Sequence, residues 1–212
     1  MKILILGAAG ELAGKVTEVL MKHTDASLIL YARNAGKRIH LQNKEREHLV
    51  DGDFKDITQL EKAMKNVDWV FIDSVEDKKG MLSIVKAMKS AGVKKLIAAT
   101  SLGIYDEVPG KFGRWNKEML GDVIDKMADS TAVLEDPDLD YTLLRMAWLY
   151  DEEGNTKYEL TEKGEPFKGT QVTREAVAHL VLEIIEDIEE RFAKRSLGVS
   201  EPDTDWDKPS FY

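Results

Sequence analysis

The 212-residue sequence predicts a single α/β domain built on a doubly wound parallel sheet. Three observations carry that expectation. Residues 3–6, Ile-Leu-Ile-Leu, form an unbroken apolar run, the pattern of a strand buried on both faces. A glycine turn, Gly7-Ala8-Ala9-Gly10, follows at once, and from Leu12 the apolar residues recur at helical spacing through Val16, Val19 and Leu20. The same alternation of apolar strand and amphipathic helix then repeats with short connections, as a parallel sheet covered on both faces requires.

The opening stretch organises the rest. Strand, glycine turn and helix together bring backbone N–H groups and the positive end of a helix dipole onto a pyrophosphate. Gly7 permits the tight turn, Gly10 lets the backbone approach phosphates without a Cβ, and Ala13 or Gly14 lets the helix pack on the strand. Many strand-to-helix turns carry glycine for packing alone; the position between a buried-type strand and an amphipathic helix favours the nucleotide.

The helix ends near Thr24, and residues 27–31, Ser-Leu-Ile-Leu-Tyr, are the second strand. Arg33 stands at its tip, with Lys37 and Arg38 close behind. An acidic residue there would bind a ribose 2′-hydroxyl and favour NAD, whereas arginine can hold a 2′-phosphate. A solvated basic turn is the other reading; the glycine turn upstream favours NADP. Residues 47–50 lead into a third strand ending at Asp51-Gly52-Asp53-Phe54. Asp56 is an N-cap, with Gln59 completing a capping box. Asp53 and Phe54 then lie at the sheet's carboxyl edge, either beside an adenine or in a turn whose aspartates bond only local backbone.

Residues 68–73 are the fourth strand, followed by a helix over 81–91 whose methionines read as core packing. Residues 95–100 are the fifth strand, ending in Thr100-Ser101. A helical stretch over 113–134 is interruptible at Gly121, Asp136-Pro137-Asp138 is a break, and 141–145 is a sixth strand. Residues 151–169 are polar and aperiodic, a loop or small hairpin within a substrate-side elaboration (about 146–172) that would act as a flap. Thr173 caps a helix with Val177, Leu180, Val181, Ile184, Ile185 and Ile188 on one stripe. Residues 196–200 form a last strand, and the acidic tail from Glu201 is expected to be ordered by docking.

Composition narrows the function. The net charge of −9 argues against nucleic acid as the main partner. With no cysteine, no disulfide, thiol nucleophile or thiolate metal site can form. His23, His40, His48 and His179 lack metal-ligand spacing, so no metal is expected. No stretch reaches the roughly 20 apolar residues of a membrane span, and the first apolar run passes into a turn instead of a cleavage site. A cytoplasmic protein, monomer or homodimer, with a small-molecule acceptor as its partner is expected.

Four stretches resemble the atypical or extended short-chain dehydrogenase/reductases, in particular their NmrA-like NAD(P)H-binding branch. Gly7-Ala8-Ala9-Gly10 resembles the G-x-x-G-x-x-G turn, with Ala13 in place of the third glycine. Ala91-Gly92-Val93-Lys94-Lys95, running on to Thr100-Ser101, resembles "AGVKR…SS". Residues 139–145, Leu-Asp-Tyr-Thr-Leu-Leu-Arg, resemble "LDYTILRP", with Met146 for the proline; residues 172–178 resemble the opening of the penultimate helix. The resemblance implies a Rossmann fold in which Gly7, Gly10, Glu11 and Leu12 line the pyrophosphate. It further implies that Arg33 meets the 2′-phosphate and Asp53 with Phe54 the adenine. Ser74 and Thr100 would lie along ribose and nicotinamide, and Ser101 at the serine position of the catalytic set.

One departure bears on chemistry. Catalytic members carry a tyrosine, the proton donor, and a lysine four positions later that lowers its pKa. None of the six tyrosines here has lysine at that spacing. Tyr105 follows the fifth strand, with Lys117 or Lys126 as lysine partners only in a non-standard geometry. An NADPH-dependent oxidoreductase acting on a quinone, flavin or small carbonyl fits, since hydride transfer needs a held nicotinamide and a stacked acceptor; Trp115, Tyr105 and Trp148 are candidate stacking surfaces. The missing tyrosine also supports a second reading, a non-catalytic NADP(H) sensor that passes its state to a partner protein. A sugar-nucleotide epimerase would need that pair, and a methyltransferase would want an acidic residue where Arg33 stands.

Overall fold

The computed structural model describes residues 1–212. In chain order the strands are β1 (Lys2–Leu6), β2 (Ser27–Ala32), β3 (Glu47–Asp51), β4 (Trp69–Ile72), β5 (Lys95–Ser101), β6 (Asp140–Met146), β7 (Trp148–Tyr150), β8 (Glu159–Thr161), β9 (Gln171–Thr173) and β10 (Arg195–Ser200). The helices are α1 (Glu11–His23), α2 (Ala35–Arg38), α3 (Ile57–Ala63), α4 (Lys78–Ala91), α5 (Gly110–Leu120), α6 (Asp122–Thr131) and α7 (Arg174–Glu186).

Eight strands form one sheet in the order β3-β2-β1-β4-β5-β6-β10-β8. All pairings are parallel except β8 against β10. Strand residues alternate between two cores. Ile3, Ile5, Phe71, Ile97 and Leu144 face α1 and α7, packing on Val16, Leu20, Val177, Val181 and Ile184. Leu4, Leu6, Val70, Ile72 and Leu143 face the other way, onto Leu60, Met64, Met81, Ile84 and Met88. The order reverses between β1 and β4, which puts the switch point, and the crevice beside it, at the end of the glycine turn.

Local chemistry sets the helix ends. The Asp77 and Thr173 side chains accept from the N–H groups of Lys79 (3.1 Å) and Ala176 (3.0 Å), opening α4 and α7. Gly121, at φ 49° and ψ −133°, divides the stretch expected over 113–134 into α5 and α6, a backbone state closed to side-chain-bearing residues. Asp56 caps α3 through Gln59 N–H at 3.0 Å, but the capping box is half made: the Gln59 amide donates instead to Asp51 O at 3.3 Å. Ile188 leaves the apolar stripe, because α7 stops at Glu186 and the side chain is 94% exposed.

Residues 151–169 do not form a hairpin. β8 adds to the far edge of the main sheet, and β7 pairs in parallel with β9 across the segment. The acidic tail docks as expected: Thr170 Oγ1 donates to Thr204 O (2.9 Å), Lys111 pairs with Asp207 (2.9 Å), and the Tyr212 ring lies 5.1 Å from those of Trp115 and Trp148. No helix is long and apolar enough to cross a membrane.

Candidate functional site

The glycine turn is folded by its own backbone. Gly7, at φ +82°, and Ala8 both donate to Tyr31 O (3.0 and 3.1 Å), and Gly10 N–H donates to Gly7 O at 2.9 Å. Asp73, just past β4, takes the Ala13 N–H at 2.7 Å. The N–H groups of Ala9, Glu11 and Leu12 make no hydrogen bond within the protein. They stand at the positive end of the thirteen-residue α1, a donor set suited to an anion. The Leu12 side chain is buried in the core, so its N–H is what it offers the turn. Glu11 points outward to Arg174 (2.6 Å), which also holds Asp151 (2.9 Å).

Asp73 explains why the turn needs glycine. A Cβ on Gly10 would come within 1.9 Å of Asp73 Oδ2, and one on Gly7 within 3.0 Å of Asp73 Cβ. Burial pushes the Asp73 pKa up to about 6 against the pull of the Ala13 N–H and of Arg174.

The tip of β2 is shaped from β3. The Asp51 carboxylate accepts from the N–H groups of Asn34 (3.2 Å) and Ala35 (3.0 Å), bracing the left-handed Asn34 and starting α2. That single helical turn carries Arg38, which with Arg33 is exposed and lines one cleft of about 360 Å³ together with Gly7, Ala9 and Gly10. Gly52 leaves room for Tyr31, whose hydroxyl would lie 2.2 Å from a Cβ there. Tyr31 donates to Asp53 O at 2.9 Å and stacks on Phe54, ring centroids 6.2 Å apart. Burial pushes the Tyr31 hydroxyl up to about 12, so it remains a donor. Asp53, Phe54 and Ser74 therefore line the same cleft, although the Asp53 carboxylate also bonds locally to Lys55 N–H at 2.9 Å. Lys55 pairs with Asp77 across the floor (2.9 Å), holding the Asp77 carboxyl below its usual range.

Thr100, expected along the nicotinamide, and Ser101, Tyr105 and Lys117, expected in the catalytic set, are not gathered into one constellation. Thr100 is buried and its hydroxyl is spent on Thr131 Oγ1 (2.9 Å), because it points beneath the sheet onto α6. Ser101 Oγ donates to Leu102 O at 3.1 Å. Tyr105 donates to Glu135 at 2.6 Å, and burial together with that carboxylate raises its pKa. Lys163 lies 4.2 Å over the Tyr105 ring and binds the same carboxylate. Lys117 instead makes a 2.5 Å exposed pair with Asp106. Arg145 is fully buried, paired with Glu107 at 2.7 Å, and braces β8 and β10 through Thr161 O and Ser196 O at 3.3 Å. Trp115 and Trp148 do meet, 4.9 Å between centroids, with Trp148 anchored on Asn116 Oδ1 at 2.8 Å.

Sequence reasoning missed Asp73 as the residue around which the turn closes, and Gly52 as the space for Tyr31. Glycine beside a strand end was the available signal for Gly52; the end of the fourth strand places Asp73 at the sheet's carboxyl edge, but not its contact with the glycine turn.

The chain as a whole is similar to known proteins. A family model described as NAD(P)H-binding matches residues 7–188. A short-chain dehydrogenase/reductase of Veillonella parvula, solved in complex with NADP, is 36% identical, covers 99% of both chains and superposes with a TM-score of 0.95. A Rossmann-fold NAD(P)-binding family protein of Shigella flexneri is 33% identical, with a TM-score of 0.81 over 100% of this chain and 98% of that one. The NAD(P)H azoreductase of Xenophilus azovorans is 31% identical over 118 residues, which span 53% of this chain and 40% of the azoreductase. With the family model running from the glycine turn to the end of α7, this chain belongs to the NAD(P)H-binding family, within the atypical, NmrA-like class of short-chain dehydrogenase/reductases.

Proposed function

We propose that the protein is an NADPH-dependent oxidoreductase that delivers hydride to a planar or small electrophilic acceptor: a quinone, a flavin, an azo compound or a carbonyl. The observation that carries the cofactor preference is that Arg33 and Arg38 both line the cleft at the tip of β2. Asp51, the last residue of β3, is engaged by the N–H groups of Asn34 and Ala35 instead of facing a ribose. Two guanidinium groups suit a 2′-phosphate, and their geometry is not matched by lysine.

The residues fit the dinucleotide. The unpartnered N–H groups of Ala9, Glu11 and Leu12 would hold the diphosphate. Phe54 and Asp53 would meet the adenine, and the Ser74 hydroxyl, without a protein partner, would serve a ribose. When bound, NADPH supplies the hydride. Because Tyr105 donates to Glu135, the proton that completes reduction of the acceptor is drawn from water. The azo compound enters on the strength of the azoreductase relative.

Titration with NADPH and NADH, repeated on Arg33→Ala, tests the cofactor; equal affinity for both in the wild type would remove the 2′-phosphate reading. NADPH consumption with a panel of quinones, flavins, azo dyes and aldehydes tests the reaction. The engagement of Tyr105 favours a second reading, a non-catalytic NADP(H) sensor. Tight NADPH binding with no turnover on the whole panel, and a partner protein released or captured with cofactor, would decide for it.

A further inference from the structure

Asp73 is a half-buried acid without a counter-ion. One oxygen, Oδ1, accepts the Ala13 N–H at 2.7 Å; the other, Oδ2, has no donor in the protein. Asp73 pairs with no cation. Arg174, whose charge reaches it, is engaged by Glu11 and Asp151, and Glu11 adds a like charge from α1. From the α4 side Lys55 is engaged by Asp77. Arg33 and Arg38 stand across the cleft on the β2 side, with Asp53 and Glu76 as its other acids.

The unpaired carboxyl therefore shares the N-terminus of α1 with the N–H groups of Ala9, Glu11 and Leu12. A helix N-terminus stabilises one negative charge well; a second within the same first turn is repelled. Resting on the dinucleotide reading of the cleft, we propose that the Asp73 carboxylate and the cofactor's diphosphate compete for the positive end of α1, so that cofactor binding draws a proton onto Asp73. Protonation removes the competing charge while Oδ1 keeps its bond to Ala13, and it turns Oδ2 from an acceptor into a donor. Asp73 is thus a positioning residue that sets the pH dependence of cofactor affinity. Burial already pushes its pKa up to about 6 in the protein alone, and the second anion raises it further.

The test is calorimetric titration of the full chain with NADPH from pH 5.5 to 8.5, in buffers of different ionisation enthalpy, for wild type and Asp73→Asn. The amide keeps an acceptor for Ala13 N–H and cannot ionise; Asp73→Ser serves the same comparison if the amide perturbs the turn. The 2′-phosphate titrates in this range and contributes alike to each protein, so the ratio of their Kd values is the readout. That ratio, wild type to variant, is expected to rise about tenfold or more between pH 6 and pH 8, with the wild type taking up more protons per NADPH than the variant. Parallel Kd profiles with equal proton uptake would overturn the linkage and leave the cofactor site standing. Failure of the wild type to bind NADPH at any pH would overturn both.

Discussion

Replacing Asp73 by asparagine should raise the stability of the cofactor-free protein, and the gain should appear only as pH rises. The folded protein holds this carboxyl at about 6, against an ordinary value of 3.8. Below the lower value the group is protonated in both states and its ionisation costs the fold nothing. Between the two values the unfolded chain releases the proton and the folded chain retains it, so stability falls with pH. Above about 6 both states are ionised and the loss is complete. At about 1.4 kcal/mol per pH unit, the difference amounts to roughly 3 kcal/mol. For a chain of this size that is about 6–12 °C in Tm. Thermal unfolding of wild type and Asp73→Asn from pH 4 to pH 8, followed by circular dichroism, reads the change in their difference and so cancels any constant offset from the amide. A difference that stays flat across that range, or that moves in favour of the wild type as pH rises, would refute the picture of a half-buried, unpaired carboxyl.

Other substitutions probe separate parts of the site. Arg33→Ala is expected to weaken NADPH by about 10- to 100-fold, the worth of a charge-assisted contact, while changing NADH by less than about threefold; fluorescence titration checks it. Gly10→Ala places a methyl group 1.9 Å from Asp73 Oδ2; it should cost about 1–3 kcal/mol in chemical denaturation, and part of that loss should return in the double variant with Asp73→Ala. Glu107→Ala leaves the guanidinium of Arg145 buried without its partner and should cost about 3–5 kcal/mol with little change in cofactor Kd. Tyr105→Phe removes a bond to Glu135 and should cost about 1 kcal/mol of stability while leaving turnover with the panel's best acceptor within about twofold.

The legibility of the chain followed the length of its patterns. Strands such as Ile3 to Leu6 and helices such as α7 were readable because each repeats its apolar signal over one or more full turns or pleats. The glycine turn, Arg33 and Asp53 could be placed at one edge because parallel strands all end there. β8, three residues long, has no room for a period, and its membership in the main sheet is decided by β10 from across the chain. Tyr105 looked like a proton donor from its position after β5, yet its hydroxyl is claimed by Glu135, thirty residues away. Gln59 had the spacing of a capping box, but Asp51 O competed for its amide. The role of Asp73 exists only once β4 lies beside β1 and delivers the carboxyl onto Gly10, a contact between residues sixty-three positions apart in sequence.

The most direct measurement is a calorimetric titration of the purified chain with NADPH and, separately, NADH. Saturable one-to-one binding is expected, tighter for NADPH by at least tenfold and reduced to near parity in Arg33→Ala. No heat and no saturation with either dinucleotide would contradict the assignment of the α1 turn as the diphosphate's seat.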